Sequence, residues 1–295
     1  MNKIRKPVRG WLRVLFIIIP FVLFVGVFQM VGMMVLGLKP SMPHFSPNTF
    51  QTTVLELFML MGTFAVVGVF RRWVDRESFR SLGFGLKDVK EESLIGFSLG
   101  LVMMAAGFLL LLLLHEISWE GTNPDVVKLV LSLVLFIAVG FTEELIFRGY
   151  ILNNLMRSMN RYVALLVSSI LFSLVHIGNA NFDVISFVSI LFAGLLLGLP
   201  YIFTKSLWLP VTLHFSWNFF QGTIFGFNVS GNTEYTLINQ SRNADTLLNG
   251  GKFGFEGSIL SIIFVALAIT FLWVYYRRKE KAMVETMQVT TLQTE

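Results

Sequence analysis

Long apolar runs separated by short polar segments make up most of this chain. A run of about 18 or more apolar residues is long enough to cross a bilayer as a helix, and eight such runs are present. They lie at about 11–36, 52–70, 93–114, 126–147, 162–178, 184–203, 206–227 and 257–276. The pattern predicts an all-α fold, a polytopic transmembrane helix bundle of about eight spans.

The composition agrees with a membrane protein. Hydrophobic residues make up 55% of the 295 residues and charged residues only 14%, whereas soluble domains carry about 25% charged residues. The chain contains no cysteine, which excludes disulfide bonds and cysteine-ligated metals. The lipid bilayer is therefore the first expected partner.

The basic residues are distributed unevenly between the two sides that eight spans would define. With a cytoplasmic N-terminus, 19 of the 23 lysines and arginines fall on the inner side. Cytoplasmic loops carry such an excess, so both termini are expected in the cytoplasm. We expect a multi-pass protein of the cell membrane. Because topology accounts for the net charge of +5, a nucleic-acid partner is not expected.

The spacing of spans and loops suggests three parts. Residues 1–92 form an N-terminal two-span region with a cytoplasmic amphipathic loop, 93–227 form an intramembrane core, and 228–295 hold an outer loop, the last span and a polar cytoplasmic tail. The core is where candidate chemistry is concentrated.

Ionisable residues inside membrane spans are costly and indicate function by default. Glu144 and Arg148 are four residues apart, so they share a helix face and can form a salt bridge. Glu143 lies about 100° round the helix and must point elsewhere. Glu56 has no partner at helical spacing, and we interpret it as incidental or snorkelling. The polar residues in or at the ends of spans are Glu56, Glu143, Glu144, Arg148, His176, His214 and Asn218.

Three predicted helices would each present a small polar stripe if these residues face one another. A carboxylate with an imidazole can take a proton from water, and an imidazole with an amide can donate to an oxyanion. A carboxylate with two imidazoles also suits zinc. Taken singly, Glu144 with Arg148 is explained as a structural ion pair, and His176 or His214 as an interhelical hydrogen-bonding residue.

The ordered motifs "EELIFR" (143–148), "FSLVH" (172–176) and "HFSWN" (214–218) resemble the CAAX protease and bacteriocin-processing family, also called the Abi family, which contains the type II CAAX prenyl endopeptidases. The resemblance implies an intramembrane endopeptidase acting on a peptide or membrane-protein substrate. Glu143 and His176 would activate water, while His214 and Asn218 would form the oxyanion site. Glu144 and Arg148 would support them. No cofactor is expected; zinc is possible but not preferred.

Two other functions fit the same sequence. The chain could be a non-catalytic immunity or scaffold protein, or a proton-coupled transporter that uses the buried Glu and His residues as a relay. Transporters show broken helices in matching halves, whereas Pro200 and Pro210 have no counterpart earlier in the chain. The HExxH, GxSG and GxGD patterns of other membrane proteases are absent.

Overall fold

Long helices dominate the computed structural model, which describes residues 9–39, 47–233 and 235–294, with side chains to residue 286. Two short strands, β1 (Ser118–Thr122) and β2 (Ile238–Ser241), pair antiparallel. The helices are α1 (Gly10–Val35), α2 (Thr49–Val69), α3 (Val89–Leu113), α4 (Val126–Glu144), α5 (Arg161–Val175), α6 (Val184–Thr204), α7 (Trp208–Asn218) and α8 (Ile259–Thr294).

Seven of these helices are long and apolar enough to cross a membrane, which confirms the polytopic helical bundle. The run predicted as a span at 206–227 is α7 with a following turn at Phe219–Ile224, 11 and 6 residues. At 1.5 Å per residue these extend about 26 Å, somewhat less than a bilayer core of about 30 Å. Most of α7 is buried among the other helices.

Three helices continue directly into π-helical turns. These turns are Phe70–Asp75 after α2, Leu145–Leu152 after α4, and Phe219–Ile224 after α7. The second and third begin immediately after Glu144 and Asn218. Single π-helical turns within α-helices are frequent at functional sites, and here two of them follow residues that the sequence singled out.

The fourth span is longer than its predicted range of 126–147, because the helix continues to Leu155. Polar residues after position 147 suggested an end, yet they are buried and partnered. Asn153 donates through Nδ2 to Tyr201 Oη at 2.7 Å, and Asn154 donates to the Tyr150 carbonyl at 3.1 Å. Since buried polar groups with partners do not break a helix, Glu143 lies well inside this one.

Close packing at glycines fixes the position of α7. A Cβ atom on Gly100 of α3 would lie 2.7 Å from Ser216 Oγ, and one on Gly140 of α4 would lie 3.1 Å from the Val211 carbonyl oxygen. Small residues let helix backbones approach closely in membranes. The two contacts hold α7 between α3 and α4, which brings His214 beside the glutamates of α4.

The helix ends define two faces of the bundle. At one, which we call the basic face, ion pairs join the starts of α1, α3 and α5, the segments that follow α2 and α4, and the second half of α8. These pairs are Arg13–Asp75, Arg157–Glu77, Arg161–Glu280 and Lys279–Glu91. The other, the loop face, carries the β1–β2 pair and the loop segment, which comprises residues 225–233 and 235–258.

Candidate active site

Two histidines from separate elements face the carboxylate of Glu143. Its Oε2 atom lies 3.9 Å from His176 Nε2 and 4.0 Å from His214 Nε2. Glu143 is on α4, His176 opens a short 3₁₀ turn at the end of α5, and His214 is on α7. Within the described residues, Glu143 Oε2 is buried and has no hydrogen-bond partner. A buried acceptor of this kind is normally satisfied by a water molecule, an ion or a ligand.

Glu144 is fully buried, and one of its carboxylate oxygens accepts two hydrogen bonds. Its Oε1 atom accepts from Arg148 Nη1 at 2.6 Å and from His214 Nδ1 at 2.8 Å. The predicted i,i+4 salt bridge with Arg148 is confirmed. The bond to His214 was not predicted, because it joins residues 70 positions apart.

The orientation of His176 is set by a backbone carbonyl. His176 Nδ1 lies 2.7 Å from the Phe172 oxygen. A carbonyl oxygen only accepts, so Nδ1 carries a proton, and in a neutral imidazole the other nitrogen then presents a lone pair. That nitrogen, Nε2, is the one that faces Glu143. A backbone bond thus decides which nitrogen of His176 is available as an acceptor.

Phe172 packs between the buried guanidinium and both imidazoles. The Arg148 Cζ atom lies 4.4 Å from the centre of the Phe172 ring, a distance typical of a cation–π contact. The same ring lies 4.9 Å from the His176 ring and 6.2 Å from the His214 ring, centre to centre. Arg148 also donates through Nη2 to the Gly194 carbonyl at 3.1 Å. The aromatic ring therefore keeps both histidines in place.

A cavity of about 640 Å³ opens above Glu143. His214 and Asn218, one turn apart on α7, both line it, as do Phe172 and Glu143. The structure thus brings residues of all three motifs to one cavity. His176 is not among the residues that line it, but lies beside Glu143. Such a volume is in the usual range for sites that take small molecules or short peptide segments.

Glu56 also belongs to this cavity, which corrects its interpretation as incidental or snorkelling. Glu56 lines the cavity wall, and its Oε1 atom accepts from Thr142 Oγ1 at 2.9 Å. Its partner is on α4, 86 positions later. Helical spacing along one span could not reveal such a contact. The only signal in the sequence was a carboxylate in an otherwise apolar run.

The residue types meeting here are among those that bind zinc, so their arrangement bears on the zinc alternative. A zinc ligand lies about 2.0–2.2 Å from the ion through nitrogen or oxygen. In the described part of the chain, no group of three or more His, Asp or Glu side chains is arranged to hold a metal ion. The preference for a metal-free site stays a prediction.

The fold and site define a multi-pass membrane protein whose ionisable groups gather round one cavity inside the helix bundle. Residues 125–220 match the family model described as Type II CAAX prenyl endopeptidase Rce1-like. This similarity supports a CAAX protease family assignment for the matched segment, and that family indicates a membrane peptidase in general. The matched segment is about a third of the chain and contains all three motifs. No curated protein and no solved structure matches the chain significantly.

Proposed function

We propose that this chain is an intramembrane endopeptidase in which Glu143 and His176 activate water, while His214 and Asn218 stabilise the oxyanion. One observation carries the proposal. The unpartnered Glu143 Oε2 faces the Nε2 atoms of both histidines at 3.9 and 4.0 Å, at the inner end of a cavity. Glu144 and Arg148 are positioning residues in this scheme.

The first step follows from the protonation of His176. The 3.9 Å separation from Glu143 is too long for a direct hydrogen bond and suits two groups that bind a common water. Both Glu143 Oε2 and His176 Nε2 are acceptors, so one water can donate a hydrogen to each. As its oxygen attacks the substrate carbonyl, the carboxylate takes one proton.

The second step needs donors for the oxyanion. His214 Nδ1 faces the Glu144 carboxylate, which can only accept, so Nδ1 carries a proton. His214 can then donate from Nε2 only as an imidazolium. The two carboxylates of Glu143 and Glu144 together balance this charge and that of Arg148. Asn218, one turn along α7, supplies an amide donor from the same side. Two donors aimed at one developing charge form an oxyanion hole.

The reaction closes when the protonated Glu143 returns its proton. The tetrahedral intermediate loses the substrate's amine, the C–N bond breaks, and the proton from Glu143 goes to the leaving nitrogen. The products are a carboxylic acid and an amine, and Glu143 is again a carboxylate. No step requires a group beyond this chain, the peptide and water.

The test compares peptide cleavage by the purified full-length protein in lipid vesicles for wild type and Glu143→Gln. Screening wild type against a mixed peptide library, with mass-spectrometric readout, first identifies a cleaved sequence. Glu143→Gln keeps the shape but not the base, so cleavage should fall by about 10²–10⁴-fold. Glu285→Gln, an exposed position at the end of α8, is the matched control and should cleave like wild type.

Two results would contradict the proposal. If Glu143→Gln cleaves at the wild-type rate, Glu143 is not the base that activates water. If a strong chelator abolishes cleavage by the wild-type protein and zinc restores it, the metal-free mechanism is wrong, while the assignment of peptidase activity stands. Loss of activity in Glu143→Gln with no effect of the chelator supports both parts.

A further inference from the structure

We propose that the substrate reaches Glu143 from the loop face, outside the cytoplasm, and that the cavity accepts peptide segments that are neutral or basic beside the scissile bond. The proposal rests on the proposed function and names the side from which its substrate comes. It is carried by the shape, the wall residues and the charges of the cavity.

The cavity is closed towards the basic face. Directly behind Glu143 lies a fully buried layer in which Glu144 is 0% and Arg148 1% exposed. Arg148 spans this layer, bonding Glu144 on one side and the Gly194 carbonyl on the other. The next residues of the helix, including Leu145 and Tyr150, are also fully buried. A peptide cannot pass this layer without breaking the ion pair.

The cavity is open towards the loop face. Asn232 and Thr233 of the loop segment are exposed and line its mouth. Around them, partly exposed residues come from the start of α2, the end of α5 and the loop segment. These residues are Pro47, Thr52, Asn179 and Ser230.

The walls between mouth and inner end come from the loop-face ends of the helices. Thr52 and Glu56 lie in the first two turns of α2, and Ser261 and Val265 in the first two turns of α8. On α6 the lining begins at Ser189, five residues after its start at the loop face. The cavity is therefore a shaft that runs inward from the loop face as far as Leu197 of α6 and Glu143 of α4.

The distribution of basic residues assigns the loop face to the outside. The loops of the basic face hold most of the 19 lysines and arginines counted above, and the opposite side holds Lys39, Lys128, Arg242 and Lys252. A bias of this size sets the orientation of multi-pass proteins. A shaft that opens at the loop face then opens away from the cytoplasm.

The shaft is lined by acidic side chains and by the His214 imidazole. Glu56, Glu143 and Glu256 line it, and no lysine or arginine is among its described lining residues. Glu256 accepts from Trp217 Nε1 and from the backbone and hydroxyl of Ser230, as suits an ionised carboxylate. Beside the mouth, Lys128 is paired with Asp125 at 3.4 Å.

The charges of Glu143 and Glu256 select the substrate. An acidic side chain, or the terminal carboxylate of a peptide cut near its end, would be repelled by these carboxylates and find no lysine or arginine to bind in the shaft. An internal bond in a neutral or basic segment meets no such cost. The substrate class is therefore a peptide segment presented at the outer surface and cut at an internal bond.

The absence of cysteine makes the side of access directly measurable. Thr233→Cys places one thiol at the mouth, and Ser78→Cys places one in an exposed loop of the basic face. Intact cells expressing each full-length variant are treated with a membrane-impermeant maleimide, before and after permeabilisation. Thr233→Cys should react in intact cells and Ser78→Cys only after permeabilisation. The reverse pattern would overturn the proposal.

The shaft itself is probed with Ala193→Cys, which lines it on α6, and with Ile263→Cys, a lipid-facing position on α8. A water-soluble cationic methanethiosulfonate reagent, added outside, should modify Ala193→Cys but not Ile263→Cys. Each reagent's rate of modifying Ala193→Cys is divided by its rate with a free thiol in solution. This normalised rate should be about tenfold or more higher for the cationic reagent than for an anionic one. Adding Glu143→Gln or Glu256→Gln should reduce that preference. Equal relative rates would overturn the charge selection.

These measurements need no turnover, so they separate the two proposals. If Glu143→Gln loses cleavage while the maleimide labels Ser78→Cys from outside, the chemistry stands and the direction of access is wrong. If labelling follows expectation while Glu143→Gln cleaves normally, the shaft stands and the assigned chemistry is wrong. Size-exclusion profiles matching wild type establish that each variant is folded.

Discussion

Arg148 and His214 both bond the same oxygen of Glu144. This carboxylate therefore neutralises a buried guanidinium and orients an imidazole at once. The neighbouring Glu143 has the opposite surroundings, since its Oε2 faces two imidazole nitrogens without bonding either. Two adjacent carboxylates thus differ in their surroundings because they point in directions about 100° apart round one helix.

This difference predicts that the two glutamates respond differently to the same substitution. Glu144→Gln leaves Arg148 buried without its counterion, and breaking a buried pair costs about 3–5 kcal/mol. Glu143→Gln removes no bond and should change stability by much less. Thermal unfolding in detergent, followed by circular dichroism, measures both. Equal loss of stability in the two variants would contradict the assignment.

The double variant Glu144→Gln with Arg148→Met separates the structural from the positioning role of Glu144. Without the guanidinium, no buried charge is left unpaired, so stability should recover towards wild type. Cleavage should stay low, because His214 still lacks the carboxylate that orients it. Recovery of full activity together with stability would show that Glu144 acts only through Arg148.

At the scale of single residues, the sequence predicted contacts within a helix and missed those between helices. Glu144 and Arg148 were paired because four residues make about one turn. The bonds from Glu144 to His214 and from Glu56 to Thr142 join different helices. Their partners depend on how helices pack, which the spacing along one helix does not contain.

The short helix α7 carries both predicted oxyanion donors and owes its position to its neighbours. Ser216, between His214 and Asn218, donates to the Phe97 carbonyl at 2.7 Å and packs on Gly100. α7 is therefore packed against α3 at the same helical turn that carries the two donors. A change in the packing of α3 should therefore displace the side chains that α7 contributes to the site.

Gly100→Val tests this packing. Its Cβ would lie 2.7 Å from Ser216 Oγ and 2.8 Å from the Trp217 backbone nitrogen, so α3 and α7 must move apart. Overpacking of this kind costs about 1–3 kcal/mol, and displacement of His214 should lower kcat. Gly26→Val is the matched control, since nothing lies within 4 Å of its Cβ. Similar activity in the two variants would argue against α7 as a precisely held element.

Among the elements, the apolar pattern predicted the helices well and their ends less well. The end of the fourth span was wrong because Arg148, Asn153 and Asn154 are polar but buried. Polarity predicts solvent exposure only where no internal partner exists, and here Glu144 and Tyr201 supply partners. The π-helical turns had no signal in the hydrophobic pattern.

Across the whole molecule, a polar network ties the basic face together. Arg71 is buried in the loop after α2 and contacts Asp75 and Glu77. Arg157, beyond the end of α4, donates to both oxygens of Glu77. This hydrogen bond with Arg157, aided by the charge of Arg71, lowers the pKa of Glu77 to about 2. Glu77 thereby joins the N-terminal helices to the segment that carries the site.

The lowered pKa predicts how stability depends on pH. The contribution of Glu77 is present in full above its unfolded pKa of about 4.5 and is lost as pH falls towards 2. Because Glu77 is partly exposed, we expect Glu77→Gln to cost about 1 kcal/mol or less at pH 7. The difference from wild type should shrink below pH 4.5. Unfolding curves at several pH values, with Glu285→Gln as control, measure it; a constant difference would contradict the pairing.

The whole-molecule arrangement was only partly accessible from sequence. Basic residues indicated two faces, and the ion pairs that link the ends of separate helices lie at the basic face. The division at residues 92 and 227 stays a prediction, as does the cytoplasmic location of the termini. The cavity could not be predicted, because its walls combine residues from most of the helices.

The π-helical turn after Glu144 has a consequence for comparing this chain with its relatives. A π-helical turn holds one residue more than the α-helical turn it replaces. A relative lacking one residue between Leu145 and Leu152 could form an unbroken α-helix there and still point its later residues in the same directions, because the wider turn absorbs the extra residue. Alignments should therefore tolerate a single gap there. Beyond that point, equal spacing from the paired glutamates would no longer mean an equivalent place in space.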